Sequence, residues 1–196
     1  MSLAKVLLVF RAGVGALLAT GKRAWLRLLG VRIAAGARVC PGAVVECQGG
    51  SVSIGPGTTI HAGARLLAAG GVIVIGRNCS INPGCLIYGH GGLTIGDDVR
   101  IAGNVTIIPA NHTVDTPGLL VREQGETRRG IAIGNDVWIG AGAVVLDGVS
   151  LADGSIIGAG AIVTKSTEPR GIYYGNPARL ARFRGESKAP GAPQSG

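Results

Sequence analysis

The sequence predicts an all-β fold in which short parallel strands stack as a β-helix, and three observations carry that prediction. From Ile133 to Val163 an aliphatic residue falls at every sixth place: Ile133, Ile139, Val145, Leu151, Ile157 and Val163. A period of 6 fits neither an amphipathic helix nor a two-faced strand, whereas hexapeptide repeats mark a stacked β-helix. The same spacing returns earlier in blocks of three, and the composition agrees. There are 35 glycines for the turns and only 2 Phe, since a narrow prism has no room for rings.

Each hexapeptide supplies one strand and one turn, so three build a triangular coil of eighteen residues. Residues eighteen apart then stack, with Ile133 under Leu151, Ile139 under Ile157 and Val145 under Val163. In chain order, residues 1–30 are apolar and basic but split by Arg11, so neither half approaches the ~20 residues of a spanning helix. They are expected to form a helical segment that either lies on a membrane surface or caps the prism base. The β-helix is assigned to 31–168. Its early coils are Ile33, Val39 and Val45; Ile54, Ile60 and Leu66; Ile75, Ile81 and Ile87; Ile95, Ile101 and Ile107. Gly-Gly pairs at 49–50, 70–71 and 91–92 separate these blocks and predict bulged corners. The register lapses after Ile107, and the polar stretch 113–130 is expected to project as a loop, a common place for function. Pro169 and Pro177 break the pattern again. Residues 169–184 read as a C-terminal extension with a short basic helix, and 185–196 as a disordered tail.

Net charge is +8, from 19 Lys and Arg against 11 Asp and Glu. No acidic residue precedes Glu46, and Lys165, Arg170, Arg179, Arg182, Arg184 and Lys188 form a second basic cluster. Such ends suit anionic partners. Nucleic acid is set aside, because no binding module is visible and aromatic residues for base stacking are few. Cys40, Cys47, Cys79 and Cys85 show no CxxC pair or zinc spacing and read as buried or wall thiols in a reducing cytosol. Cys79 and Cys85, one hexapeptide apart, should lie on different faces.

Of the three histidines, His61 follows a ladder residue and His90 sits in a glycine corner; both read as surface or structural. His112, in PANHTVD, stands where the regular prism opens into a loop, and His is the usual base near neutral pH. Asp115, Glu123 or a backbone carbonyl are candidates to orient its ring.

The NH run, the loop with Gln124, and IGNDVWIGAGAVVLDGVSLADGSIIGAGAIVTKSTEPRGIYYGNPARLAR together resemble the hexapeptide-repeat acyltransferases. The likeness is to galactoside and maltose acetyltransferases and to bacterial polysaccharide O-acetyltransferases, over about residues 75–184. The resemblance implies a left-handed coil, a homotrimer, acetyl-CoA as co-substrate, and a sugar hydroxyl as acceptor; no metal is expected. It places the general base on His112 and an acceptor-binding Asn on Asn82. Trp138 falls beside the cofactor, and the Ala141 amide meets the thioester oxygen. Ala159, Thr164, Lys165, Pro177, Arg179 and Arg182 match positions along the CoA channel. The galactoside enzymes also use an N-terminal acidic residue to hold the acceptor, and none stands here, so sugar specificity does not transfer.

Register adds an inference of its own. Asn82 follows ladder residue Ile81 at one corner, and His112 belongs beside another; a face of six residues spans at most about 20 Å. If both serve one site, that site lies between subunits. The expectation is therefore a cytoplasmic sugar O-acetyltransferase of surface polysaccharide or lipopolysaccharide synthesis, with peripheral membrane contact through residues 1–30. The alternative is a nucleotide-sugar N-acetyltransferase, since the same base serves an amine. A non-catalytic scaffold is the third reading. A γ-class carbonic anhydrase shares the architecture, but it uses a close His pair, and His61, His90 and His112 stand 29 and 22 residues apart.

Overall fold

Successive strands of two to four residues wind into a triangular prism with three faces, each a parallel sheet. The computed structural model describes Leu26 and residues 30–186. The helical segment expected over 1–30 therefore lies outside the described residues except at its edge, as does nearly all of the expected tail. The first face runs from Arg32–Ile33 to Ser150–Leu151 and the third from Val44–Glu46 to Ile162–Val163, six strands each. The second runs from Arg38–Val39 to Ile156–Ile157 and then continues with Gly171–Tyr174 and Arg179–Phe183.

Pairing follows the repeat. Ile133 lies against Leu151, Ile139 against Ile157 and Val145 against Val163, a spacing of eighteen. Lower coils are longer: Arg32 pairs with Ser53 and Ser51 with Val72, a spacing of 21. The Gly-Gly corners hold the extra residues. Gly49 and Gly70 take φ of +80° and +81°, a conformation free of penalty only without a Cβ. A Cβ on Gly50, Gly71 or Gly91 would strike the carbonyl of Gly71, Gly89 or Pro109 in the next coil.

Every ladder residue from Ile33 to Val163 is buried. Each such side chain is worth about 1.5–3 kcal/mol. A second inward residue precedes each by two places, as strand alternation requires, and on the second face it is smaller: Ala37, Thr58, Cys79, Val99, Val137 and Ser155. The polar members of this set bond between coils. The Thr58 hydroxyl donates to the Gly76 carbonyl (2.7 Å) and accepts from the Cys79 N–H (3.0 Å). The Cys79 and Cys85 thiols donate to the carbonyls of Gly96 (3.1 Å) and Ala102 (3.0 Å). None of the four cysteines forms a disulfide, and burial pushes the Cys79 and Cys85 thiols up, which keeps them protonated and unreactive.

The C-terminal extension corrects one expectation. Instead of a short helix, Gly171–Tyr174 adds in parallel to Ile156–Ile157, and Arg179–Phe183 turns back antiparallel on it. The open top of the second face supplies a ladder of unpaired backbone groups, and the β-prone run Ile172-Tyr173-Tyr174 fills it. Ile172 and Tyr173 are buried, and the Tyr173 hydroxyl accepts from the Glu168 N–H at 2.8 Å. Basic residues alone set no helical period.

Candidate functional site

One long insertion interrupts the coils. Leu93 pairs with Ile131, 38 residues on, because the chain leaves the corner between third and first faces over residues 108–130. The excursion opens as a two-residue antiparallel ladder in which Asn111 faces Thr127 and His112 faces Glu126. Gln124 closes its far end, accepting from the Thr116 N–H (2.9 Å) and donating to the Leu119 carbonyl (3.0 Å). The tip of this projecting, largely polar loop also exposes Val114, Leu119, Leu120 and Val121.

Asp147 ties this hairpin to the prism. Its carboxylate accepts from the N–H groups of Arg129 (2.9 Å) and Gly130 (3.0 Å) and from the Thr127 hydroxyl (2.9 Å). It sits two places after ladder residue Val145, where the coil above has Lys165. An acidic residue at that corner beside a lapse of register was the available signal.

His112 is exposed and lines a cavity of about 360 Å³ with Asp115, Thr127, Arg129, Leu146, Asp147 and Thr164. Among the described residues no group hydrogen-bonds its ring. Glu123 accepts from the Leu120 N–H instead (3.2 Å), and Glu126 is paired with Arg128 (3.1 Å). On the other flank, His112 lines a second cavity of about 370 Å³ with Tyr88, His90, Ile108 and Glu126. His90 is therefore a neighbour of the candidate base, a placement the sequence reading missed. Spacing alone hides it, since the insertion folds His112 back over a corner one coil below.

The remaining candidates divide between two edges of the third face. Thr164 and Lys165 share the edge of His112. Asn82, Ala141 and Ala159 occupy the opposite edge, between second and third faces, with Trp138 just before it on the second face. Trp138 is 51% exposed, and Ala141 and Ala159 are also exposed. The Asn82 amide donates to the Ile101 carbonyl (2.8 Å), which fixes its plane against the coil above. The Ala141 carbonyl accepts from the Gly160 N–H (2.8 Å), while its own N–H has no partner among the described residues. Pro177, Arg179 and Arg182 cap the second face on the top hairpin, so the exposed Arg179 and the half-buried Arg182 stand above Trp138. The two groups do not meet within the chain.

Comparison with known proteins agrees with this architecture. Residues 130–165 match the family described as bacterial transferase hexapeptide (six repeats). Over 91 residues the chain is 45% identical to the galactoside O-acetyltransferase of Escherichia coli (strain K12), which is 46% of this chain and 43% of that protein. The chain thus spans less than half the length of the curated relatives it matches. In structure it is similar to AntD, an N-acyltransferase from Bacillus cereus in complex with dTDP and 3-hydroxybutyryl-CoA, with TM-score 0.72 and 21% identity over 83% of this chain and 88% of that one. It is also similar to a GDP-perosamine N-acetyl transferase from Caulobacter crescentus in complex with CoA and GDP-perosamine. There the TM-score is 0.58 and the identity 21%, over 76% of this chain and 57% of that one. At such identities the structural likeness speaks for the fold.

Proposed function

For a chain that carries the bacterial transferase hexapeptide repeat and is related to acetyltransferases, we propose acetyl transfer from acetyl-CoA to a sugar hydroxyl, with His112 as general base. One observation carries this reading: an exposed imidazole stands on a hairpin at one edge of a rigid face, above cavities of about 360 and 370 Å³. His112 takes the acceptor hydroxyl's proton as the oxygen attacks the thioester carbonyl. The free Ala141 N–H stabilises the oxyanion. The C–S bond then breaks, and CoA leaves as the thiol with the proton returned by the imidazolium. Exposed Lys165 and Arg179 and half-buried Arg182 suit the phosphates of CoA, and the Trp138 face suits its adenine or pantetheine arm.

Since Asn82, Trp138, Ala141 and Ala159 stand one face away from His112, the complete site is assigned to the junction of two subunits of a homotrimer. The acceptor is placed in surface polysaccharide or lipopolysaccharide synthesis, with the enzyme at the cytoplasmic membrane face. The test is CoA release with free, nucleotide-linked and lipid-linked sugars, wild type against His112→Ala. Acceptor-dependent release that falls ~10²-fold or more in the variant supports the reading. Transfer only to amino sugars would move it to N-acylation, and CoA failing to bind would end it.

A further inference from the structure

The cavity beside His112 holds a second imidazole, that of His90. His90 sits in the corner Gly89-His90-Gly91-Gly92, where the two coils below have Ala69-Gly70 and Gln48-Gly49. The turn here has another form: Gln48 and Ala69 take φ of +46° and +47°, whereas in this corner the positive φ, +92°, falls on Gly92. Its backbone is fixed: the Gly89 N–H donates to the Leu67 carbonyl (2.9 Å) and the Gly92 N–H to Gly89 (2.7 Å). The ring leans on Tyr88, with centroids 5.2 Å apart and planes at 39°. Among the described residues its Nδ1 is buried without a hydrogen-bond partner, which is not so of Nε2. A stranded N–H is a rare thing in a folded protein, and the tautomer of a histidine follows what its two nitrogens meet. With Nδ1 enclosed, the proton of the neutral ring is expected on Nε2.

We propose that the cavity between Tyr88, His90 and His112 receives one sugar ring of the acceptor, and that His90 donates its Nε2–H to a second oxygen of that ring. At about 370 Å³ the space is at the small end of ligand pockets, of the size for one ring rather than a nucleotide. Tyr88 offers the apolar face on which a sugar stacks, and His90 fixes the ring's rotation, so that one hydroxyl and not its neighbour meets His112. His90 is a specificity-determining residue here, and this role rests on the acetyl-transfer reading.

Long-range ¹H–¹⁵N spectra of the full chain read the ring directly, with His90→Gln used for assignment. An Nε2–H pattern at His90 is expected, and an Nδ1–H pattern would overturn the proposal. Titration with methyl glycosides of galactose, glucose and mannose should move the His90 nitrogens in wild type and in His112→Ala alike. With the productive acceptor, His90→Ala should lower kcat/KM about tenfold and leave the KM of acetyl-CoA unchanged, His90→Gln should restore part of it, and a deoxy acceptor lacking the partner oxygen should cost His90→Ala nothing more. Equal further losses on every deoxy acceptor would overturn it. A glycoside that shifts His90 but is never acetylated would leave this site standing and remove the transfer reading; no shift and no transfer would remove both.

Discussion

The two edges of the third face are built on opposite principles. The edge with Asn82, Ala141 and Ala159 is pure repetition, each turn tied to the one beneath: the Gly142 N–H donates to Gly103 (3.0 Å) and Gly160 to Ala141 (2.8 Å). The edge with His112 is an interruption, a hairpin of one two-residue ladder held by Asp147. Repetition makes a straight rigid wall along which a long co-substrate can lie. Interruption lets one side chain depart from the repeat, which is what a base needs. If the two edges make one site across subunits, His112→Ala and Asn82→Ala should each be nearly inactive, the former by ~10²-fold or more. Co-expressed, they should regain about a quarter of wild-type activity, because in random trimers about a quarter of the junctions pair an intact His112 with an intact Asn82. A mixture no more active than its parents would separate the two edges.

The same contrast predicts two different kinds of instability. In the wall, a Cβ at Gly140 would lie 2.5 Å from the Ala159 nitrogen and 2.8 Å from the Gly158 carbonyl carbon. Gly140→Ala should cost about 1–3 kcal/mol and lower the Tm of the whole prism by about 3–10 °C in calorimetry. Asp147→Ala strands two backbone donors but only at the hairpin root. Hydrogen-exchange protection over residues 125–130 should vanish and acetyl transfer fall about tenfold, with Tm within about 2 °C of wild type. Were Asp147→Ala to melt the prism as early as Gly140→Ala, the hairpin would belong to the cooperative unit and the contrast would fail.

The wall was legible in the sequence and the hairpin was not. A side chain at every sixth place fixes which face, corner and depth a residue occupies, so Asn82, Trp138 and Ala141 could be placed by counting. Past Ile107 there is nothing to count against. The hairpin's register depends on Asp147, thirty-five residues after His112 in chain order and bound to backbone amides, which carry no sequence signal. His90 was hidden for the same reason: its neighbour in space arrives through the insertion. The C-terminal strands went unread because their partner is an open sheet edge, a property of the stack and not of residues 171–183.

The smallest effect expected separates the edges by pH. Cys85 points inward at the wall, where other coils carry Ala64, Ala143 and Ala161, and Cys79 is buried on the adjoining second face. Burial raises both thiols above their ordinary value, so the folded chain holds these protons more tightly than the unfolded one. Their contribution is complete below about pH 8.5, the ordinary thiol value, and is lost as pH rises from there through the folded values. No thiol lies in the hairpin. Cys85→Ala places in this coil the residue that the coil below already uses, Ala64, and should flatten the fall in unfolding free energy between pH 8 and pH 10 by less than about 1 kcal/mol, without altering exchange over residues 111–127. An unchanged slope in denaturant titrations would mean that Cys85 keeps its ordinary acidity in the fold, and that the wall admits water where its packing says it should be dry.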